Sequence, residues 1–489
     1  YHLGALSFYF YFIVIGTGIY LFIFYQPSVT GSFDSMEYLS REQWYLGGVM
    51  RSLHRYASDA LILVMVLHMM REFFLDRYRG ARWFSWFTGL PVLLLVFPIG
   101  ITGYWLVWDQ LGQFIAVRSS EWLDWLPVIA EPMARNFLTN SSVTDIFFRM
   151  MFIIHMVLSI FIFVAFLVHV KKISKSDIHP PRPLALGTLF SLLVLSFVAP
   201  VFSHVRADLG SIPAELHLDW FYMFIYPLMD IWSMGAVWAL AVGFALLVAL
   251  LPWMPAKPRQ HLAEVWLDEC SGCGLCVADC PYEALIIRPR TDRHPRFALE
   301  AQVIPANCVA CGICVGACPS STPFRHISEL HTGIDLPNRN IQHLRAATLQ
   351  ALEKLTGEPR IIVYSCQHGA DAHRLETNGV TTMALPCIGA LPPSFIDYAL
   401  RNGADGVFLT GCRACDCHHR FGNTWVEGRL AEGREPYLRH GVPRNRFRFF
   451  WAARSDFPEL ESELELFRRG LTDLPKNTSD AGQNARELT

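Results

Sequence analysis

The sequence predicts a membrane all-α bundle of six helices, followed by an α+β domain and then a small α/β domain. Three observations predict this order. Of 489 residues, 52% are hydrophobic and only 17% charged, which is too apolar for one soluble globule. The apolar residues concentrate before residue 256, with a junction near Pro252 to Pro258, beyond which Arg, Asp, Glu and Pro recur as in a soluble protein. All 13 cysteines lie beyond that junction, between Cys270 and Cys417.

Apolar stretches able to span about 30 Å of hydrocarbon occur at residues 3–25, 52–74, 84–107, 146–170, 184–204 and 220–253. The connection between the second and third carries Arg71, Arg77, Arg79 and Arg82; that between the fourth and fifth carries Lys171, Lys172, Lys175 and Arg182; Lys257 and Arg259 follow the sixth. Such basic loops mark the cytoplasmic side. The opposite loops hold Asp34, Glu37, Asp124, Glu131, Asp145, Asp208, Glu215 and Asp219. A multi-pass inner (cytoplasmic) membrane protein with both termini inside is therefore expected. The chain opens at Tyr1, so a short preceding segment is expected, and no signal-peptide pattern is evident.

Four regions follow: 1–256 in the membrane, 257–338 with an internal cysteine repeat, 339–470, and a polar tail at 471–489. In the third, β-rich runs at 360–364, 380–385 and 406–409 alternate with helical stretches such as 393–402, which indicates a parallel sheet. The net charge of -2 gives no reason to invoke nucleic acid. An odd number of tightly clustered cysteines argues against a disulfide framework and for metal ligation in a reducing compartment.

His54 and His68 in the second span, and His155 and His169 in the fourth, are each separated by 14 residues. Fourteen residues is close to four helical turns, so each pair shares a face and lies about 21 Å apart along the axis. Two haems can stack between these helices. Because both helices run in the same direction, His54 pairs with His155 near the outer surface and His68 with His169 near the cytoplasm, neutral imidazoles serving as axial iron ligands. The alternative is a set of polar residues satisfied within the bundle. Gly4 and Gly18, and Gly89 and Gly103, repeat the same interval and admit the close approach of a bulky macrocycle.

The segments SLHRYASDALILVMVLHMMREF, FTGLPVLLLVFPIGITGYWLVWDQLGQ and FRMMFIIHMVLSIFIFVAFLVHVKK resemble the cytochrome b of bc-type complexes, especially the chloroplast and cyanobacterial form, over residues 1 to about 250. The resemblance implies a six-helix cytochrome b bundle with two haem b groups on the four histidines, and Arg51 and Arg55 flanking the outer haem. ADLGSIPAELHLDWFYMFIYPLMD looks like the segment bearing that family's Pro-Glu-Trp-Tyr quinol-oxidation motif, here Leu218, Asp219, Trp220 and Phe221. Asp219 and Trp220 are then the catalytic candidates, with Asp219 able to accept a quinol proton although the motif's Tyr hydroxyl and rigid Pro are absent. The alternative is that Asp219 caps the next helix. At YHLGAL the chloroplast form has a Cys that tethers an extra haem; His2 stands there instead, which excludes covalent attachment.

Cys270, Cys273, Cys276 and Cys280-Pro281 follow C-x2-C-x2-C-x3-C-P, and Cys308, Cys311, Cys314 and Cys318-Pro319 repeat it. This is the pattern of bacterial two-cluster ferredoxins, in which the fourth Cys of each run ligates the other cluster. The expected sets are Cys270, Cys273, Cys276 and Cys318 for one 4Fe-4S cluster, and Cys308, Cys311, Cys314 and Cys280 for the other, in an α+β ferredoxin-like fold. Structural zinc is the competing reading.

Cys366, Cys387 and Cys412 each follow a predicted strand, and Cys415 and Cys417 come next. Ends of parallel strands converge at one sheet edge, so these thiols can meet there. GADGVFLTGCRACDCHHRFGN resembles the delta subunit of methyl-viologen-reducing hydrogenase over about 110 residues. That resemblance implies a 2Fe-2S cluster on Cys366, Cys387, Cys412 and Cys417, relaying electrons to a heterodisulfide-reductase-type flavoprotein. Cys415 remains an alternative ligand, and buried free thiols the competing reading for any single one.

Together these features predict a membrane electron-transfer subunit, a quinone/quinol oxidoreductase part, joining lipid-borne quinone to a cytoplasmic redox partner. The expected cofactors are two haem b, two 4Fe-4S clusters, one 2Fe-2S cluster and quinone. In a bc-type respiratory complex, a Rieske or cytochrome c type subunit on the outer face would take one quinol electron. A multi-subunit assembly is expected, with a dimer among its forms. A different class of reading makes the chain a membrane anchor and conduit for a soluble flavoprotein, without a quinone site of its own.

Overall fold

The computed structural model describes residues 2–128, 131–171, 173, 176, 178–211, 215–254, 261–292, 294–325 and 330–474. They fold as two compact units, His2–Ala256 and Lys257–Thr489. Lys172, Lys175, Lys257, Arg259 and most of the polar tail lie outside the described residues.

In the first unit the principal helices are α1 (Leu3–Phe24), α2 (Val49–Phe74), α3 (Trp83–Val107), α4 (Gln110–Asp124), α5 (Asp145–Lys171), α6 (Arg182–Val198) and α7 (Met234–Leu250). Among the described residues four helices are long and apolar enough to cross a membrane: α1, α3, α5, and α7 with its continuation to Trp253. The α2 helix, at 26 residues, is about 39 Å long but carries Arg51, Arg55, Asp59, Arg71 and Glu72. The fifth expected span ends early, at Val198, because Pro200 forces Ala199 out of helical geometry. The sixth does not begin at residue 220. Two short helices, Trp220–Met223 and Tyr226–Ile231, come first, and Ser233 then caps α7 by accepting from the Ala236 N–H.

Helix α1 packs along α2, and α3 along α5. Their shared core includes Leu6, Phe10, Leu61, Ile62, Val92, Val96, Ile162 and Phe166. Ile153, Ile160, Phe161, Phe190 and Phe244 point outward, as lipid-facing residues do when the surrounding solvent is hydrocarbon.

The second unit opens with two small antiparallel pairs, β1 (Glu264–Val265) with β4 (Ile334–Asp335), and β2 (Leu285–Pro289) with β3 (Leu299–Val303). Two one-turn helices, α8 (Leu275–Asp279) and α9 (Ile313–Gly316), each follow a glycine in the left-handed region, Gly274 and Gly312 at φ +80° and +76°. The cysteine repeat in the sequence is thus a repeat of backbone shape.

A four-stranded parallel sheet follows, in the order β6 (Val380–Leu385), β5 (Ile361–Cys366), β7 (Gly406–Gly411), β8 (Phe447–Trp451). Every residue of β5 and β7 is buried, as expected for parallel strands covered on both faces. One face packs Ile362, Tyr364, Phe395, Val407 and Leu409; the other packs Ile361, Val363 and Phe408 against Phe467 and Leu471 of α13 (Phe457–Thr472). The intervening helices are α10 (Ile341–Glu353), α11 (Ser394–Arg401) and α12 (Gly422–Leu430).

Within this unit the cysteine repeat is tied to the sheet region by charge. Asp279, 2% exposed, takes Arg429 Nη2 at 2.5 Å and Arg434 Nε at 2.6 Å, and the Trp425 indole N–H donates to the Asp279 carbonyl.

Candidate functional site

Helix α2 carries His54 and His68 on one face, and α5 carries His155 and His169. Opposite each stands a glycine. A Cβ at Gly4 would lie 3.4 Å from the His68 ring, at Gly18 3.2 Å from His54, at Gly89 3.1 Å from His169 and at Gly103 3.3 Å from His155. The imidazole itself fills the space that a side chain would take. Helices α1 and α3 therefore act as seats for rings borne by α2 and α5.

Those seats also orient the rings. Nδ1 of His54 lies 3.0 Å from the Val14 carbonyl, and Nδ1 of His155 lies 3.1 Å from that of Ile99. Carbonyls only accept, so Nδ1 carries the proton and Nε2 is left bare as a metal donor. Thr17, Thr102 and Thr88 stand 3.1 Å from Nδ1 of His54, His155 and His169. Each hydroxyl donates to a carbonyl of its own helix, Ile13, Ile99 and Phe84, which leaves its lone pair for the imidazole. Sequence reasoning missed these residues, although a Thr-Gly dipeptide recurs at Thr17-Gly18, Thr88-Gly89 and Thr102-Gly103. His68 has no such partner among the described residues, and its Nδ1 is buried without a hydrogen bond. His54 stands within electrostatic range of His155, and His169 within that of His68. Four imidazoles, with Nε2 left bare on His54, His155 and His169 by the partners of Nδ1, are a donor set that fits haem iron.

Near His54 two arginines are held by neighbouring oxygens. Arg51 donates to Ser40 Oγ at 2.6 Å and Ser203 Oγ at 2.9 Å. Arg55 Nη2 meets Asp219 Oδ2 at 2.7 Å, and Nη1 lies 3.5 Å from Asp59. Asp219 also accepts from Tyr104 Oη at 2.7 Å and, as an N-cap, from the Phe221 N–H at 2.8 Å. Trp220 is 73% exposed. The next residue but one, Tyr222, is buried and its hydroxyl meets Ser58 Oγ at 2.8 Å.

In the second unit, the Cys276 thiol is pushed up to about 12 by burial and by its neighbours Cys318, Cys273 and Cys270. Burial likewise pushes Cys311 up to about 12, with Cys280 and Cys308 adding, and raises Cys314 beside Cys311, Cys276, Cys308 and Cys280. Cys280, Cys308, Cys311 and Cys314 line one cavity. The fourth cysteine of each run thus stands among the first three of the other. Thiols held protonated in this way need a cation to become thiolates, since a coordinating metal deprotonates its sulfur ligand.

Cys366 at the end of β5, Cys387 after β6, and Cys412 and Cys417 after β7 meet at one sheet edge, all buried. Cys366 and Cys412 sulfurs are 3.8 Å apart. Hydrogen bonds from Cys387 and Cys412 hold down the thiols of Cys366 and Cys417, whereas Cys387 and Cys412 are pushed up by the same contacts. The backbone N–H groups of His368 and His418 donate to the Cys366 and Cys412 sulfurs at 3.5 Å. The side chain of Cys415 lies outside the described residues. Two further features were not read from sequence. A Cβ at Gly422 would fall 2.2 Å from Cys387 Sγ, so only glycine fits beside the tetrad. His368, His418 and His419 crowd its mouth, the first two stacked at 3.7 Å.

Comparison with known proteins finds three matching regions, the first of which ends at residue 177, short of the expected limit near 250. Residues 1–177 match the family model of cytochrome b/b6/petB, residues 269–322 that of the 4Fe-4S dicluster domain, and residues 360–474 that of the delta subunit of methyl-viologen-reducing hydrogenase. A solved structure titled "Hyperthermophilic respiratory Complex III" is 20% identical, covering 53% of this chain and 76% of its own, with a TM-score of 0.44. A cytochrome b region implies haem b, and a dicluster region implies 4Fe-4S clusters. In one integral membrane polypeptide with an electron-transfer role, the chain joins a cytochrome b region, a 4Fe-4S dicluster region and a methyl-viologen-reducing hydrogenase delta-subunit region.

Proposed function

We propose that this chain exchanges electrons between a membrane quinone pool and a cytoplasmic redox partner, as the central subunit of a bc-type respiratory complex. Two haem b groups are held by His54 with His155 and by His68 with His169, in a bundle of six spans that keeps both termini and the iron-sulfur unit in the cytoplasm. Two 4Fe-4S clusters occupy the cysteine sets above, and a 2Fe-2S cluster occupies the sheet-edge tetrad. These groups supply one-electron redox chemistry when bound. The protein's own part is to seat and orient the ligands, exclude water and offer Asp219, beside Trp220, as the acceptor of a quinol proton. A heterodisulfide-reductase-like flavoprotein is the partner on the cytoplasmic side, and a Rieske or cytochrome c type subunit the partner outside.

The observation that carries this reading is the repeated histidine seat: one helix supplies the imidazole, its neighbour a glycine facing the ring, in four places. A redox titration of the purified full-length protein, followed by haem absorbance and by electron paramagnetic resonance of the clusters, tests it. Haem reduction by a quinol analogue and by a low-potential cytoplasmic donor is expected. A protein with no bound haem overturns the reading.

One observation favours a second reading, in which the chain anchors and wires a soluble flavoprotein without a quinone site of its own. Asp219 already accepts from Arg55, Tyr104 and the Phe221 N–H, which leaves its carboxylate little capacity for a quinol proton. Haem reduction by the cytoplasmic donor but never by quinol would select it.

A further inference from the structure

Two carboxyl groups share one guanidinium near the histidine pair of His54 and His155. Asp219 receives three donors: Arg55 at 2.7 Å, Tyr104 Oη at 2.7 Å and the Phe221 N–H at 2.8 Å. Three donors occupy both oxygens of that carboxylate. Asp59, one turn beyond Arg55 on α2, is differently placed. Its nearest guanidinium nitrogen is 3.5 Å away, and its Oδ1 is buried without a hydrogen bond. The groups facing it are Arg55 and Tyr56 from its own helix, and Asp219 and Tyr222 from the segment after α6, with Tyr104 under the Arg55 guanidinium at 4.6 Å. One cation serves two acids inside a membrane bundle, where a further negative charge is costly unless a proton compensates it.

Asp59 lies five residues from His54, about 7.5 Å along the axis. An electron arriving at an iron between His54 and His155 adds negative charge beside this site. Resting on the haem assignment proposed above, we propose that Asp59 is the proton-exchanging member of an Arg55-centred carboxyl pair. It takes up one proton as that haem takes up one electron, while Asp219 keeps its three donors. The balance is one electron on iron and one proton on the Asp59 carboxylate, whose charge is lost as the carboxyl O–H forms. The electron comes from the carriers named under the proposed function, the proton from the outer aqueous phase.

The test is redox-induced infrared difference spectroscopy of the full-length, haem-loaded protein, together with the pH dependence of the outer haem potential. In wild type the carbonyl stretch of a protonated carboxyl should appear on reduction. Asp59→Asn should remove it and flatten the pH dependence of the potential, Asp59→Glu should keep both with the band displaced, and Asp219→Asn should keep both. A band that survives in Asp59→Asn, or is lost in Asp219→Asn alone, overturns the proposal. Haem content of each variant reports folding, and Asp59→Glu carries the test if Asp59→Asn does not assemble. Should wild type bind no haem at His54 and His155, the function proposed above fails. The pH-induced difference spectrum of that same protein then decides on Asp59: a carboxyl band lost in Asp59→Asn supports the assignment, and one retained overturns it.

Discussion

Single residues decide whether the haem sites exist, and the glycines make this testable. A side chain at Gly89 would enter the space of the His169 ring, whose Cε1 would lie 3.1 Å from the new Cβ, whereas Gly16 on α1 has nothing within 4 Å of its added Cβ. Gly89→Leu is therefore expected to lose the His68 and His169 haem and keep the other, with haem falling from two to one per chain by pyridine haemochrome assay. His68→Ala should do the same. Gly16→Leu should retain both. A wild-type haem content of one, or an unchanged Gly89→Leu, would refute the seat. The histidine spacing was legible in the sequence because 14 residues bring two side chains onto one helical face, whatever surrounds them. The threonines beside Gly18, Gly89 and Gly103 were not, because their role rests on which neighbouring helix lies within 3.1 Å of the hydroxyl, and spacing along one helix says nothing of that.

At the level of elements, apolar length located the helices but not their ends. The stretch at 220–253 looked continuous because Trp, Phe, Tyr and Met are apolar wherever they sit, yet breaks at 224–225 and at 232–233, the second capped by Ser233, divide it into three helices. Strand β8 (Phe447–Trp451) went unseen because it borders the sheet and only Phe447 is buried, so it lacks the continuous apolar run of β5. The buried ion pair of Asp279 with Arg429 joins residues 150 apart in sequence, and no local pattern announces it. Its removal should be severe. Arg429 is fully buried, so Arg429→Met leaves the Asp279 charge in the interior with Arg434 as its remaining partner. Breaking one side of a buried pair costs about 3–5 kcal/mol. The variant is expected to unfold its iron-sulfur unit at lower denaturant, read by loss of cluster absorbance, while the haem bands persist. Equal midpoints for variant and wild type would show the pair to be energetically idle.

For the whole molecule, the cofactor inventory sets the first expectation: two 4Fe-4S clusters and one 2Fe-2S cluster give about ten cluster irons beside two haem irons. Iron and acid-labile sulfide assays check it, and zinc near one per cysteine quartet would sink it. The order of transfer follows from packing within the Lys257–Thr489 unit. Cys311, Ile313 and Cys387 belong to one buried cluster, with Tyr282 and Trp425 against it, so the Cys308, Cys311, Cys314 and Cys280 set adjoins the sheet-edge tetrad. The Cys270, Cys273, Cys276 and Cys318 set meets that set where Cys276 neighbours Cys314. On the function proposed above, an electron entering at the tetrad is expected to meet the adjoining set first and the Cys270 set second. Cys387→Ser takes one ligand from the tetrad without deleting any 4Fe-4S ligand, and serine nearly preserves the volume beside Gly422. It should lose the 2Fe-2S signal, keep both 4Fe-4S signals and both haems, and slow haem reduction by the cytoplasmic partner by at least tenfold, while reduction by a quinol analogue is unchanged. A Cys387→Ser protein that still accepts electrons from that partner at the wild-type rate would place the entry point elsewhere than the tetrad.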